Sequence, residues 1–212
     1  MPLKTDDWNI DVCLTGSQKA IAAPPGLTLL TFSEDAWRAH EGRHTPVRSY
    51  YADLRRWLPV MEDPSKYFAT PSITLILALR EALRIVMEEG LEKRWVRHRT
   101  LAEAVRHGIQ AIGLENFPRE GHGANTLTVP ITPQGIAEQE LRKRMSDSYK
   151  VIIAGGLGKL AGKTSRIGHM GCVAANDVVA TLSALEMSLM SLGYPLEPGT
   201  AVGEAERRLI GL

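Results

Sequence analysis

The chain of 212 residues is 44% hydrophobic and 23% charged, a composition that builds a folded core and excludes a disordered or collagen-like polymer. Its 25 Lys and Arg balance 24 Asp and Glu, so the net charge of +1 supplies no global field for a nucleic-acid backbone or an anionic membrane. The two cysteines, Cys13 and Cys172, stand far apart and form no spaced ligand set, which fits a reducing, cytoplasmic compartment and argues against zinc.

The opening MPLKTDDWNIDVCL has no apolar stretch of the signal or anchor type, and no later run has the length that spans a bilayer. Trp8, Ile10 and Val12 alternate toward a strand so early that the start reads as the middle of a domain. A strand is predicted over 9–15. Gly16 and Ser17 end it and place Lys19 on the turn beyond its carboxyl end, the edge at which open α/β sheets bind ligands. Pro24-Pro25-Gly26 breaks the chain, a second strand follows over 27–32, and Ser33 opens a short helix over 34–39. A loop carrying Tyr50, Tyr51, Trp57 and Tyr67 then extends to Pro71. Ile73, Ile76, Leu77, Leu79, Leu83 and Val86 recur at helical spacing up to Gly90, and a second helix over 91–112 is expected to bury Trp95, Leu101, Ala104, Val105 and Ile109. Together these helices read as a spine joining two lobes. Past Gly113 the expected order is a strand over 127–131, a helix over 136–148, strands over 151–154 and 165–168, a helix over 175–192 and a short surface helix near 204–209. Such alternation makes a compact α+β lobe.

Several residue groups invite a chemical reading. A lysine held where it is partly desolvated loses its proton more easily, and the neutral amine attacks aldehydes, although position alone makes Lys19 first a solvated turn residue. Val151-Ile152-Ile153-Ala154 runs into a loop ending Gly162-Lys163-Thr164 that looks like a phosphate loop. The Walker A spacing, however, needs glycine where Leu157 stands, and the dinucleotide fingerprint needs it where Ala161 stands. A substrate-side loop whose glycines permit close packing is the better reading. His40 and His44 lie four apart without an evident third ligand, so no metal is expected. Arg94, Arg97, His98, Arg99 and Arg106 interleave with Glu88, Glu89, Glu92 and Glu103, which predicts a solvated helix with pairs at i to i+4 and no nucleic-acid surface.

The run DVCLTGSQKAIAAPPGL, residues 11–27, resembles the lysine segment of class V aminotransferases of pyridoxal-phosphate fold type I, in particular the alanine-glyoxylate and serine-pyruvate group. The resemblance continues in order through SYYADLRRW, Tyr67-Phe68-Ala69-Thr70-Pro71, LREAL, EEGLEKRWVRHR and AGGLGKLAGKTSRIGHMG, nearly the whole chain. It implies an α/β fold: the carboxyl-terminal part of a fold type I transferase, with a remnant of the large-domain sheet and the lysine loop in 1–72, linking helices in 73–112, a small α+β domain in 113–195 and a tail in 196–212. It also implies pyridoxal 5'-phosphate as cofactor. Lys19 would carry that cofactor covalently and shuttle a proton between the substrate Cα and the cofactor's C4′ carbon. Gln18 would contact the cofactor phosphate. Tyr67 and Thr70 would reach across a homodimer interface to the partner's phosphate. Arg166 would grip the substrate α-carboxylate with two parallel hydrogen bonds. His169 and Met170 take no catalytic role. Gln18 stands where cysteine desulfurases of the same fold typically carry histidine, and Cys172 follows the arginine motif directly, so a desulfurase is not indicated.

By the same resemblance three parts of a complete site would precede Met1: the aspartate that pairs with the pyridine nitrogen, the stacking aromatic ring and the helix start that binds most of the phosphate. The chain is therefore expected to be the carboxyl-terminal portion of an aminotransferase moving an amino group from alanine or serine to glyoxylate or pyruvate, with a separate amino-terminal half as one possible partner. A non-catalytic dimerisation module of the same fold and a fold type I lyase are the rival readings.

Overall fold

In a computed structural model, residues 2–212 are described. Contacts divide the chain between Ile85 and Val86, inside one helix of the stretch read as linking helices, so that 3–85 and 86–212 form separate units. The chain is α/β.

In the 3–85 unit, β1 (Val12–Gly16) and β2 (Thr28–Phe32) form an antiparallel pair in which Val12 faces Phe32 and Leu14 faces Leu30. The first strand starts later than predicted because residues 5–9 turn back on themselves, with Trp8 N–H bonded to Lys4 O and Asn9 at a φ of 50°. Ser33 caps α1 (Glu34–Glu41) as expected: its Oγ accepts from Ala36 N–H at 3.0 Å and donates to Asp11 Oδ1 at 2.7 Å, tying the helix to the start of β1. The segment expected to be a loop up to Pro71 contains α2 (Leu54–Glu62), capped by Asp53, and a single 3₁₀ turn at Pro64–Lys66, capped by Asp63. Pro59 inside α2 hides it from a sequence reading, because proline removes a ladder donor and is disfavoured in helix interiors. α3 (Ile73–Glu89) then carries the chain into the second unit.

The 86–212 unit has a conventional core. α4 (Leu91–Ala111), α5 (Glu138–Tyr149), α6 (Ala175–Ser191) and α7 (Thr200–Leu209) bury Leu101, Val105, Ile109, Met145, Leu182, Leu185 and Leu189 almost completely. A three-stranded antiparallel sheet packs with them in the order β3 (Leu127–Thr128), β5 (Ser165–Gly168), β4 (Ala154–Gly155). β3 is shorter than predicted because Pro130 has no N–H to give, and pairing resumes only as isolated bridges at Pro130 and Ile131. β4 begins only at Ala154, with Ile152 exposed and Ile153 buried just before it. The closing helix is longer than predicted and is no mere surface element, since Ala201, Ala205 and Leu209 are buried. Two features seat it. A side chain at Gly108 would lie 2.9 Å from Ala201 O, so glycine lets the helices approach. From α6, buried Glu186 accepts the first amides of α7, Gly199 N–H at 3.0 Å and Ala201 N–H at 2.5 Å, doing the work of an N-cap.

Candidate functional site

Lys19 stands on a loop closed around one residue. Ser17 is fully buried. Its N–H donates to Leu27 O at 3.0 Å, its carbonyl accepts from Ala23 N–H at 3.0 Å, and its Oγ donates to Pro24 O at 2.6 Å while accepting Leu27 N–H at 3.3 Å. A turn from Lys19 N–H to Gly16 O at 3.2 Å and another from Ala22 N–H to Lys19 O at 2.9 Å then turn Gln18 and Lys19 outward, both exposed. Gly26 closes the loop at a φ of 132°, where an added Cβ would meet Leu75 of α3 at 2.6 Å. Gly16, Ser17 and Gly26 thus build a rigid seat for a lysine at a strand end.

Tyr67 and Thr70 lie on a second segment of the same unit, on either side of Phe68 and Ala69. Phe68 is held edge-on by Trp57 at 4.8 Å and Tyr50 at 5.6 Å, and the Trp57 indole N–H donates to Tyr51 O at 2.6 Å. Both Tyr67 and Thr70 are exposed, and among the described residues neither hydroxyl has a protein hydrogen bond.

Arg166 belongs to the 86–212 unit, on the central strand β5, directly opposite Ala154. Its neighbours Ser165 and Ile167 are buried, which fixes the strand and leaves Arg166 on the open face. Its Nε donates to Gly155 O at 2.7 Å, so the guanidinium plane is set from its inner edge and the two terminal nitrogens remain without a protein partner among the described residues. That is the geometry for end-on, two-point binding of a carboxylate. The glycine loop behind it is built for this contact. A Cβ on Gly156 would run into Leu160 O and come within 2.5 Å of Thr164 Oγ1, and one on Gly155 would crowd the pair of buried Glu138 and half-buried Arg142 at 3.2 Å. No helix follows the loop beyond one 3₁₀ turn at Gly158–Leu160, in keeping with a packing loop.

The arginine-rich start of α4 departs from the solvated helix expected of it. Arg94 and His98 are 5% and 4% exposed, and Glu89 pairs across the Gly90 bend with residues five and eight positions away: Arg94 Nη1 at 2.5 Å and Arg97 Nε at 2.5 Å. Arg97 also donates to Val173 O at 2.6 Å and Gly171 O at 2.9 Å, while His98 Nε2 accepts Gly171 N–H at 3.0 Å and His98 Nδ1–H donates to Arg94 O at 2.8 Å. The chain leaving the Arg166 strand is therefore clamped to α4. Burial holds His98 below its ordinary pKa, as its acceptor role requires, and the Arg97 guanidinium holds Glu89 below the usual carboxylate range. His169, 1% exposed against Thr128 Oγ1 at 2.8 Å, is pushed by burial to about 4 and stays neutral. The sequence reading takes Glu89, Arg97 and His98 for a solvated charged face and Ser17 for a turn residue, and misses their structural roles. Ser17 alone had a signal, a hydroxyl next to the turn glycine.

Cys172 is exposed on the clamped segment and Cys13 half-buried, both as free thiols. Among the described residues no three His, Cys, Asp or Glu side chains gather as a metal site, and no helix is long and apolar enough to cross a membrane. A cavity of about 810 Å³ beside α4 is lined by Arg99, Arg106 and Arg119 but equally by Glu103, Glu115 and Glu120, and it excludes Arg166.

A family model described as Aminotransferase class-V matches residues 1–173, a range that holds every candidate residue named above. An uncharacterized aminotransferase of Methanocaldococcus jannaschii is 41% identical over 95% of this chain and 52% of its own length. Serine–glyoxylate aminotransferase of Methylorubrum extorquens is 33% identical over 99% and 53%. The crystal structure of ureidoglycine–glyoxylate aminotransferase from Bacillus subtilis superimposes with a TM-score of 0.93 at 33% identity, covering 98% of this chain and 54% of that one. The chain spans about half the length of the relatives it matches. With a family model matched over 1–173, relatives above 30% identity over nearly all of this chain and a backbone that superimposes on an aminotransferase of fold type I, the chain belongs to the class-V aminotransferase family.

Proposed function

We propose that the chain provides the lysine, part of the phosphate contacts and the substrate-carboxylate contact of a pyridoxal 5'-phosphate-dependent aminotransferase, acting on a small amino acid such as alanine or serine with glyoxylate or pyruvate as acceptor. The observation that carries this reading is the seat around Ser17, which spends every polar group of a buried residue on presenting Lys19 beyond the end of β1.

The residues present fit the cofactor. Lys19 is an exposed amine on a rigid turn, Gln18 beside it offers an amide donor, and Tyr67 and Thr70 hold hydroxyls without protein partners, as a phosphate requires. When bound, pyridoxal phosphate supplies an electron sink for negative charge at the substrate Cα. Lys19 would hold the cofactor, and its amine, once free, would take up and release the proton of the substrate Cα, a transfer that needs the amine held at one place. Arg166 takes the α-carboxylate on its two terminal nitrogens and so fixes the direction of the Cα–H bond. Gln18 takes the phosphate of its own subunit, Tyr67 and Thr70 that of a second copy in a homodimer.

The test is chemical. Incubation of the chain with pyridoxal phosphate, borohydride reduction and peptide mapping should place the adduct at Lys19, and Lys19→Ala should remove it. Labelling spread evenly over the other lysines would overturn the assignment.

A further inference from the structure

Arg166 has unlike neighbours on its two sides. Ala154 of β4 lies directly opposite it. On the other side the register of β3, Leu127 against Gly168 and Thr128 against Ile167, carries on past the end of the strand: Ser165 N–H donates to Pro130 O at 3.1 Å and Ile131 bridges to Thr164. Val129 therefore stands opposite Arg166. Its carbonyl turns away from β5 and accepts Phe117 N–H at 2.8 Å, so Val129 and Arg166 form a non-hydrogen-bonded pair. That is the antiparallel position at which side chains come closest, with Cβ atoms about 4.5–5.5 Å apart. Thr128 and Pro130 on either side of Val129 are buried, which puts its half-buried isopropyl group on the face that carries Arg166. A β-branched side chain there has little choice of rotamer and fills the β3 side, whereas the single methyl group of exposed Ala154 leaves the β4 side open. The guanidinium lies on the open side, where Arg166 Nε donates to Gly155 O at 2.7 Å. Among the described residues no carboxylate pairs with Arg166, so shape and not charge gives the side chain its direction.

We propose that Val129 and Ala154 are the positioning residues of Arg166: a large side chain on one flank and a small one on the other lay the guanidinium over β4, with its two terminal nitrogens ready for one carboxylate. This rests on the reading of Arg166 as the substrate-carboxylate contact. The test uses the whole 15N-labelled chain, with propionate as a carboxylate that has no reactive carbonyl. Two quantities are read: hydrogen exchange at Arg166 Nε–H without ligand, which the bond to Gly155 O slows, and the affinity for propionate at constant ionic strength. Val129→Ala should speed the exchange and weaken binding about fivefold, because a long side chain must then be ordered on binding. Val129→Thr, which keeps the branched shape, should hold both within roughly twofold of the wild type. Ala154→Leu fills the β4 side from an exposed position and should act as Val129→Ala does. Exchange and affinity unchanged in Val129→Ala and Ala154→Leu, with propionate binding lost in Arg166→Gln, would overturn the positioning roles and leave the carboxylate reading standing. Full binding by Arg166→Gln, or none by the wild type, would overturn the carboxylate reading and this proposal with it.

Discussion

Replacing Arg97 by Leu should loosen the strand that carries Arg166. Arg97 donates to two backbone carbonyls, Val173 O at 2.6 Å and Gly171 O at 2.9 Å, and meets Glu89 at 2.5 Å, with both side chains about one fifth exposed. A hydrogen bond from a charged donor contributes about 1.5–3 kcal/mol, and the partial exposure calls for the low end for each, so two lost carbonyl bonds cost about 3 kcal/mol. Glu89 keeps Arg94, which limits the added penalty on that side. For a domain of this size about 3 kcal/mol lowers the melting temperature by roughly 10 °C. Thermal unfolding followed by circular dichroism measures the loss, and hydrogen exchange locates it: the amides of Gly171 and of the first turn of α6 should exchange faster, with those of the α4–α7 contact nearly unchanged. Arg97→Lys, which keeps the charge but cannot reach two carbonyls and a carboxylate together, should lose about half as much. In a double-mutant cycle Glu89→Gln and Arg97→Leu should couple by about 1 kcal/mol. Stability of Arg97→Leu within about 0.5 kcal/mol of the wild type would mean that the cluster is a solvated ion-pair face after all.

Acid should destabilise the 86–212 unit before its carboxylates titrate. His169 is held neutral to about 4 in the fold against 6.5 when free, so the unfolded chain takes up its proton first and stability is lost as pH falls from about 6.5 towards 4. The loss for this group is about 2 kcal/mol at pH 5, with His98 acting in the same direction; equal urea midpoints at pH 7.5 and 5 would contradict it. Gly156→Ala should cost about 2–4 kcal/mol, because the new methyl group meets the Leu160 carbonyl and Thr164 Oγ1; a melting temperature equal to that of the wild type would refute this. Glu186→Ala strips the acceptors from two α7 amides and should cost about 2 kcal/mol with selective exchange of α7, whereas α7 protection equal to the wild type would show that the cap is dispensable.

Much of this was legible in the sequence. Ser33 as a cap, the glycine between α3 and α4 and the spans of α6 and β5 follow from local rules, because each depends on residues within one or two turns. The candidate residues Gln18, Tyr67, Thr70 and Arg166 come from the resemblance to class V aminotransferases, and Lys19 from that resemblance together with its place beyond a strand end. What stayed hidden depends on distance in sequence. Glu89 and Arg97 looked like one more pair on a charged helix, yet their partners lie at Gly171 and Val173, and nothing local announces a carbonyl more than seventy residues away. α2 was lost to the opposite error, a local rule outweighed by its surroundings: Asp53 caps it and the Trp57 ring packs on Phe68, enough to keep a helix around Pro59.

The three candidate segments share a plan that explains this division. Each presents its chemical group outward from a residue held inward next to it: Lys19 from the buried Ser17, Tyr67 and Thr70 from Phe68 within its aromatic cluster, Arg166 from the buried Ser165 and Ile167. The presented group must be of one chemical type, an amine, a hydroxyl or a guanidinium, so its identity is visible in a motif. The anchor needs only to fill a place and satisfy its own polar atoms, which several residue types can do, so it shows up only as geometry. Each presented group depends on its anchor, since a lysine or an arginine on a slack segment loses conformational freedom when it engages a partner. In this chain the cost is met at folding, by Ser17, by the Phe68 cluster and by the Arg97–His98 clamp behind the Arg166 strand.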